Sequence, residues 1–174
     1  MKQFLEFMDT VGRQKADRIF FAVLDLTKEV GNKPWGEGKL AGIISLLNTD
    51  ADNHSTEIGC IIIGKEFQRT HVTTNAVGLL LQWCFSILGM RRVQWQTNYR
   101  NESSVATAKK MHFRDEGILR WQRVLPKEQT EVGEYVEGHA KEAPGRHTVM
   151  LSMCWDDWEA GVKDIVAERM ARTL

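Results

Sequence analysis

Three strand-like apolar runs follow one another before the first long helical pattern, and this order narrows the possible folds more than any other feature of the chain. The runs are Ile19 to Leu24 (IFFAVL), Leu40 to Leu47 (LAGIISLL) and Glu57 to Ile63 (EIGCIII). β-Branched and aromatic side chains fill them, as a half-buried pleated surface requires. A Gly- and Pro-rich stretch, Glu29 to Lys39, separates the first two and reads as a hairpin connection. The polar turn NTDADNHS separates the second and third. Three consecutive strands joined by turns predict an antiparallel meander.

The pattern then changes period. Between Thr74 and Met90 the sequence NAVGLLLQWCFSILG predicts a long, largely buried helix that stops at Gly89. Arg92 to Thr97 alternates like a strand, and Ser103 to Met111 reads as a shorter helix with serine at its start. Strand signals return over Phe113 to Leu125 and Thr148 to Cys154. Trp158 to Leu174 reads as an amphipathic helix, and Phe4, Leu5 and Met8 suggest another near the front. Between Lys127 and Pro144 five glutamates stand against two lysines without apolar periodicity, which predicts a long acidic surface loop. Helices flanking a mixed sheet make an α+β layer fold, and 174 residues fit one domain.

Charge and cysteine usage limit the function classes. Lys plus Arg equals Asp plus Glu at 23 each, without the basic excess of a dedicated nucleic-acid binder. Cys60, Cys84 and Cys154 are widely spaced among apolar neighbours and carry no secretory signal before them. They read as reduced, buried thiols of a cytoplasmic protein. The five histidines form no metal-ligand spacing, and no apolar run is long enough to span a bilayer.

The chemistry concentrates at the turn FQRTHVTTNA, where the third strand hands over to the long helix. A helix leaves its first N–H groups without intrahelical partners and is positive at that end. With hydroxyls at Thr70, Thr73 and Thr74 and a guanidinium at Arg69, the turn suits an anion such as a pyrophosphate. On the other reading Thr73 or Thr74 is an ordinary N-cap and Arg69 a solvated charge.

Further blocks favour the anion reading. EIGCIIIGKEFQRTHVTTNAVGLLLQWCF, then RRVQWQTNYRNESSVATAKKMHF, then RDEGILR, resemble the GNAT superfamily of acetyl-CoA-dependent N-acetyltransferases, and within it the RimJ/RimL-like branch. The resemblance implies a mostly antiparallel GNAT-like central sheet, with the branch's first strand absent and the front end shortened. It implies that Gln68, Arg69, Thr70, His71, Val72, Thr73 and Thr74 hold the pyrophosphate, with Gln68, His71 and Thr73 at the family's Gln/Arg-x-x-Gly-x-Gly/Ala positions. It implies that Cys60, Ile61, Ile62 and Ile63 line the pantetheine arm, their strand splaying from the next and offering its amides to the ligand. Asn101 and Ser104 match the Asn-x-x-Ser block, Asn101 bonding the arm and Ser104 lying near the thioester sulfur. Otherwise Asn101 makes a turn and Ser103 or Ser104 caps the helix.

Catalysis needs a base to free the amine, and Glu57 is the candidate, against the reading of an exposed strand-end glutamate. Glu116 is a weaker second candidate that positions substrate or pairs with Arg120. The family's helix tyrosine is Ala108 here, which leaves Ser104 or water as the acid, and the family's Gly-Phe is His112-Phe113. Phe113 is expected in the core, as are Trp83, Trp95, Trp121, Trp155 and Trp158. The resemblance implies direct transfer of acetyl from acetyl-CoA to a protein N-terminus or small amine. No metal, nucleic acid or membrane is implied, and the protein is expected to be a monomer or homodimer. The competing class is a non-catalytic acyl-CoA-binding or scaffold protein of the same fold.

Overall fold

The computed structural model describes residues 6, 8–13, 15–28, 38–129, 131, 133–134 and 143–172. The front helix and the 29–39 hairpin fall partly outside them, as do the middle of the acidic loop and the last two residues. The chain divides into two compact units, one of residues 1–93 with 154–174 and one of residues 94–153.

The first unit begins with a short wide turn, Met8–Arg13. The meander follows as β1 (Ile19–Asp25), β2 (Lys39–Asp50) and β3 (Ser55–Ile63). Both pairings are antiparallel, with Phe21 opposite Ile44 and Leu46 opposite Ile58. β2 and β3 run further into the polar connection than the apolar pattern predicts, and only 51–54 turns. The register is irregular between Leu47 and Asp50, where Asn48 takes a left-handed backbone (φ 48°) and the Thr49 N–H donates to the Asp17 carbonyl at 2.9 Å.

Helix α1 spans His71–Gln82 and continues as a wider turn, Trp83–Ile87, before Gly89 (φ 63°) ends it. It therefore starts three residues earlier than its apolar pattern, because its cap lies at Thr70. Its buried face carries Val72, Ala76, Val77, Leu80 and Leu81. Gly78 lies where a Cβ would stand 2.3 Å from the Met170 sulfur, so its lack of a side chain admits the C-terminal helix. That helix begins as α3 (Trp155–Asp157), passes through Trp158–Val162 with a bend at Gly161 (φ 122°), and ends as α4 (Lys163–Ala171). It starts three residues before the predicted Trp158, where Asp157 accepts from the Cys154 N–H and caps it.

The second unit takes in most of β4 (Arg92–Asn98), all of α2 (Glu102–Lys110) and β5 (Arg114–Val124), and β6 (Gly145–Cys154) but for its last residue, with β5 and β6 antiparallel. β4 alternates buried and half-buried residues as its sequence predicts. Trp95 packs edge-on to Phe113 at 5.5 Å, and Ala108, Met111 and Leu151 are fully enclosed. The six strands are ordered β1-β2-β3-β4-β6-β5, a mostly antiparallel sheet with flanking helices, the expected α+β class. Among the described residues no helix is long and apolar enough to cross a membrane.

Two packing expectations are corrected. Only Cys84 is a fully buried thiol, and burial pushes it up to about 12, while Cys60 and Cys154 are half-buried. Trp121 and Trp155 are exposed rather than core, since β5 is covered on neither face and α3 begins at the surface.

Candidate active site

In the first unit the geometry centres on Glu57. Its carboxylate is 3% exposed, which overturns the reading of a solvated strand end. β3 begins two residues before it, so the position lies inside the ladder opposite Leu47. The Asn48 side chain donates to Glu57 Oε2 at 2.6 Å from across the hairpin. Gly59, two residues on and therefore on the same face, leaves the carboxylate its space. A Cβ there would stand 3.1 Å from Glu57 Oε1 and 2.9 Å from Leu47.

Beyond Gly59 the strand is irregular. Ser45 pairs with Gly59 but Ile43 with Ile62, so Cys60 and Ile61 share one opposing residue in a bulge. Cys60 takes a left-handed backbone (φ 46°), and Ile62 is half exposed. The Ser45 hydroxyl donates to the Gly59 carbonyl at 2.7 Å. The strand is thus not a plain core strand over Cys60 to Ile63, because a bulge re-aims its side chains and leaves a residue outside the ladder.

The turn into α1 is built by its own side chains. Gln68 donates its amide to the Ile63 carbonyl at 3.0 Å, and Thr70 donates its hydroxyl to the Phe67 carbonyl at 2.7 Å. The same Thr70 oxygen accepts from the Val72 N–H at 3.3 Å, so Thr70 is the N-cap and Thr73 and Thr74 lie in the first helical turn. Arg69 supplies the left-handed residue (φ 62°). His71 and Thr73, at the family's glycine positions, are helical, a conformation every residue adopts, so the turn needs no glycine there. The His71 imidazole is directed at Asp25, 3.4 Å away. Burial pushes the Asp25 carboxyl up, but hydrogen bonds from the Thr27 N–H and hydroxyl, with His71 beside it, bring it below the usual range. Between β1 and α1 lies a mainly apolar cavity of about 410 Å³, lined by Phe21, Asp25, Ile44, His71, Asn75 and Leu79 among others.

In the second unit the matched block is tied into the local fold. Asn101 caps α2, accepting at Oδ1 from the Ser104 N–H (3.1 Å) and the Ser103 hydroxyl (2.9 Å). The cap is therefore Asn101 itself, and not either serine. Ser104 Oγ accepts from the Trp95 indole N–H at 2.9 Å. Ala108, where relatives have tyrosine, is fully buried. His112 adopts φ 66°, the left-handed backbone that a glycine takes without strain. Glu116 accepts from the Ser152 hydroxyl at 2.7 Å.

Sequence reasoning misses one polar cluster. The Tyr99 hydroxyl donates to Glu134, and Arg100 pairs with Glu134 at 2.7 Å. The Tyr99 bond, then burial against it, then the Arg100 charge set a net fall in the Glu134 carboxyl pKa. Glu134 comes from the acidic stretch, and its Tyr99 and Arg100 partners lie 35 and 34 residues away, so no local sequence signal marks it. Cys154, Asp156 and Asp157 also gather ligand-type atoms within 4.8 Å, but Asp157 is engaged as the α3 cap.

Among known proteins, the family model described as "Acetyltransferase (GNAT) domain" matches residues 2–114. Over 84 residues the chain is 37% identical to a Bacillus subtilis protein named "Putative ribosomal N-acetyltransferase YdaF", a match covering 48% of this chain and 45% of that one. A solved GCN5-related N-acetyltransferase from Brucella melitensis superposes with a TM-score of 0.75 at 29% identity, over 98% of this chain and 65% of its own. Spermidine N-acetyltransferase SpeG from Vibrio cholerae, solved as a point mutant, shares the fold at 16% identity and a TM-score of 0.62, over 90% of this chain and 76% of its own. The chain thus spans less than two thirds of the length of the first two. With nearly two thirds of its residues inside the family model, the chain belongs to the acetyltransferase (GNAT) domain family.

Proposed function

We propose that the protein is an N-acetyltransferase of the RimJ/RimL-like branch, moving acetyl from acetyl-CoA to a primary amine on a protein N-terminus or small molecule. The buried, pre-positioned Glu57 carboxylate carries this reading. A surface glutamate has no need of an asparagine from the neighbouring strand or a glycine beside it.

In this reading the Gln68–Thr74 turn and the α1 N-terminus take the pyrophosphate, with Arg69 as counter-charge. The bulged Cys60–Ile63 segment offers backbone amides to the pantetheine arm and polarises the acetyl carbonyl. Asn101 keeps its amide N–H₂ for the arm while its oxygen caps α2. The amine nitrogen attacks the carbonyl carbon, forming the C–N bond as the C–S bond breaks and the thiolate leaves. Glu57 takes the amine proton through water. Ser104 or water protonates the thiolate, whose pKa of roughly 8–9 asks little of an acid. Cys60, Cys84 and Cys154 stand as thiols and not as disulfides, which favours a reducing, cytoplasmic setting.

The test is thermal unfolding with and without acetyl-CoA, followed by amine-dependent release of free CoA thiol. Ligand at ~100 times its dissociation constant adds about 2.7 kcal/mol of stability. A shift with thiol release supports the enzyme. A shift with no release on any primary amine leaves an acyl-CoA-binding protein in its place.

A further inference from the structure

The cavity of about 410 Å³ between β1 and α1 is lined by none of the residues assigned above to acetyl-CoA or proton transfer, His71 and Val72 excepted. Two periodicities build its walls. Phe21, Val23 and Asp25 alternate along β1, and His71, Asn75 and Leu79 recur every fourth position along one face of α1. Its size falls among small-molecule pockets, which hold about 300–1,000 Å³.

Two polar groups in this apolar wall are incompletely bonded. Asp25 is 4% exposed. The Thr27 N–H (3.0 Å), the Thr27 hydroxyl (2.7 Å) and the His71 imidazole (3.4 Å) all approach its Oδ1. Among the described residues nothing donates to Oδ2. The side-chain oxygen of Asn75 is buried and also lacks a partner among the described residues. Buried polar groups are ordinarily bonded, so both oxygens call for a donor.

The charges around the cavity identify that donor. The lining contains neither Lys nor Arg. Lys39 stands opposite Asp25 in the ladder, but it pairs with Glu66 at 2.6 Å and lies over the Phe67 ring. The Asp25 carboxyl, whose pKa lies below the ordinary 3.8, is ionised at neutral pH and has only His71 beside it as a possible cation. A guest that completes this wall brings positive charge and N–H donors on an apolar body. An alcohol brings a donor without the charge, and a carboxylate brings the wrong charge.

We propose that the cavity binds a small apolar primary amine as its ammonium ion, which donates to Asp25 Oδ2 and to the Asn75 oxygen while its body lies against Phe21, Ile44 and Leu79. An ammonium carries three N–H donors, enough for both oxygens. This site is separate from the acceptor position at Glu57, and it stands whether or not the protein transfers acetyl groups.

Isothermal titration calorimetry of the full chain without acetyl-CoA tests this. The probe is 2-phenylethylamine, with 2-phenylethanol and phenylacetate as isosteres and circular dichroism to confirm folding of each variant. The amine should bind, the alcohol about tenfold more weakly, and the acid more weakly still. Asp25→Asn should raise the amine's dissociation constant about tenfold and erase its advantage over the alcohol. Asn75→Leu keeps the wall apolar and removes an unbonded oxygen, so the fold should hold while the dissociation constant rises about threefold. Glu57→Gln should bind the amine as the unmodified protein does. No binding of the amine to the folded protein would overturn the proposal, as would equal affinity for amine and alcohol. Undiminished affinity in Asp25→Asn would overturn it too. So would loss of binding in Glu57→Gln, which would move the amine to the acceptor position.

Discussion

The two turns that lead into helices make an instructive contrast. In the first unit, the turn before α1 is closed by Gln68, Arg69 and Thr70, and the polar groups of Thr73 and Thr74 stand beyond the cap. In the second unit, the turn before α2 is closed by Asn101, one of the two residues matched to the family block, and the other, Ser104, accepts from Trp95. At the first turn Thr73 and Thr74 are proposed ligand groups that take no part in closing it, beside Gln68, Arg69 and Thr70, which do both. The second uses the same residues for both. Substitutions should therefore split stability from binding at the first turn and couple them at the second.

The largest effect of this kind is expected at Asn101. Asn101→Ala removes the cap, costing about 1–2 kcal/mol of stability, and weakens acetyl-CoA binding as well. Asn101→Asp keeps the capping oxygen, so denaturant unfolding should show near-normal stability while titration shows weakened binding. Equal loss of both in the aspartate variant would mean the amide N–H₂ has no ligand role.

At the first turn Thr70→Ala should cost about 1 kcal/mol, the usual worth of an N-cap. Thr73→Ala should leave the unfolding midpoint almost unchanged and lower only cofactor affinity. A stability loss at Thr73 equal to that at Thr70 would erase the contrast between the two turns.

The smallest effect belongs to Asp25 beneath the first turn. Its folded carboxyl lies below the ordinary value of 3.8, so its stabilisation is complete above that pH and is lost as pH falls through the folded value. Asp25→Asn should therefore cost about 0.5–1 kcal/mol near neutrality, with the deficit closing below pH 3.8. A deficit that persists unchanged into acid would show that shape, not charge, holds His71 and Thr27 in place.

The local order of the fold is legible because it rests on short-range periodicity. The meander, the buried face of α1, and the alternation of β4 all follow from spacing within one element. What stays hidden depends on partners distant in sequence or on backbone torsion. Glu57 looks like any strand-end glutamate until Asn48 arrives from the neighbouring strand and Gly59 clears its face. The start of α1 escapes its apolar pattern because Thr70 caps a first turn, His71 to Thr73, whose one apolar residue, Val72, makes no period by itself. Trp121 and Trp155 read as core because aromatic residues usually are, and only the exposed position of each element shows otherwise. The bulge at Cys60 and the left-handed Arg69 and His112 lie where side chains other than glycine adopt a glycine-like backbone, which composition does not reveal.

The central claim is that Glu57 is the base of an acetyl transfer, and Glu57→Gln tests it most directly. Glutamine preserves the shape and can still bond Asn48, but it cannot take a proton. Steady-state kinetics with a reactive amine should show kcat falling by about 10²–10³-fold, with the dissociation constant for acetyl-CoA within about twofold of normal. An unchanged kcat would contradict the account and return Glu57 to a structural role.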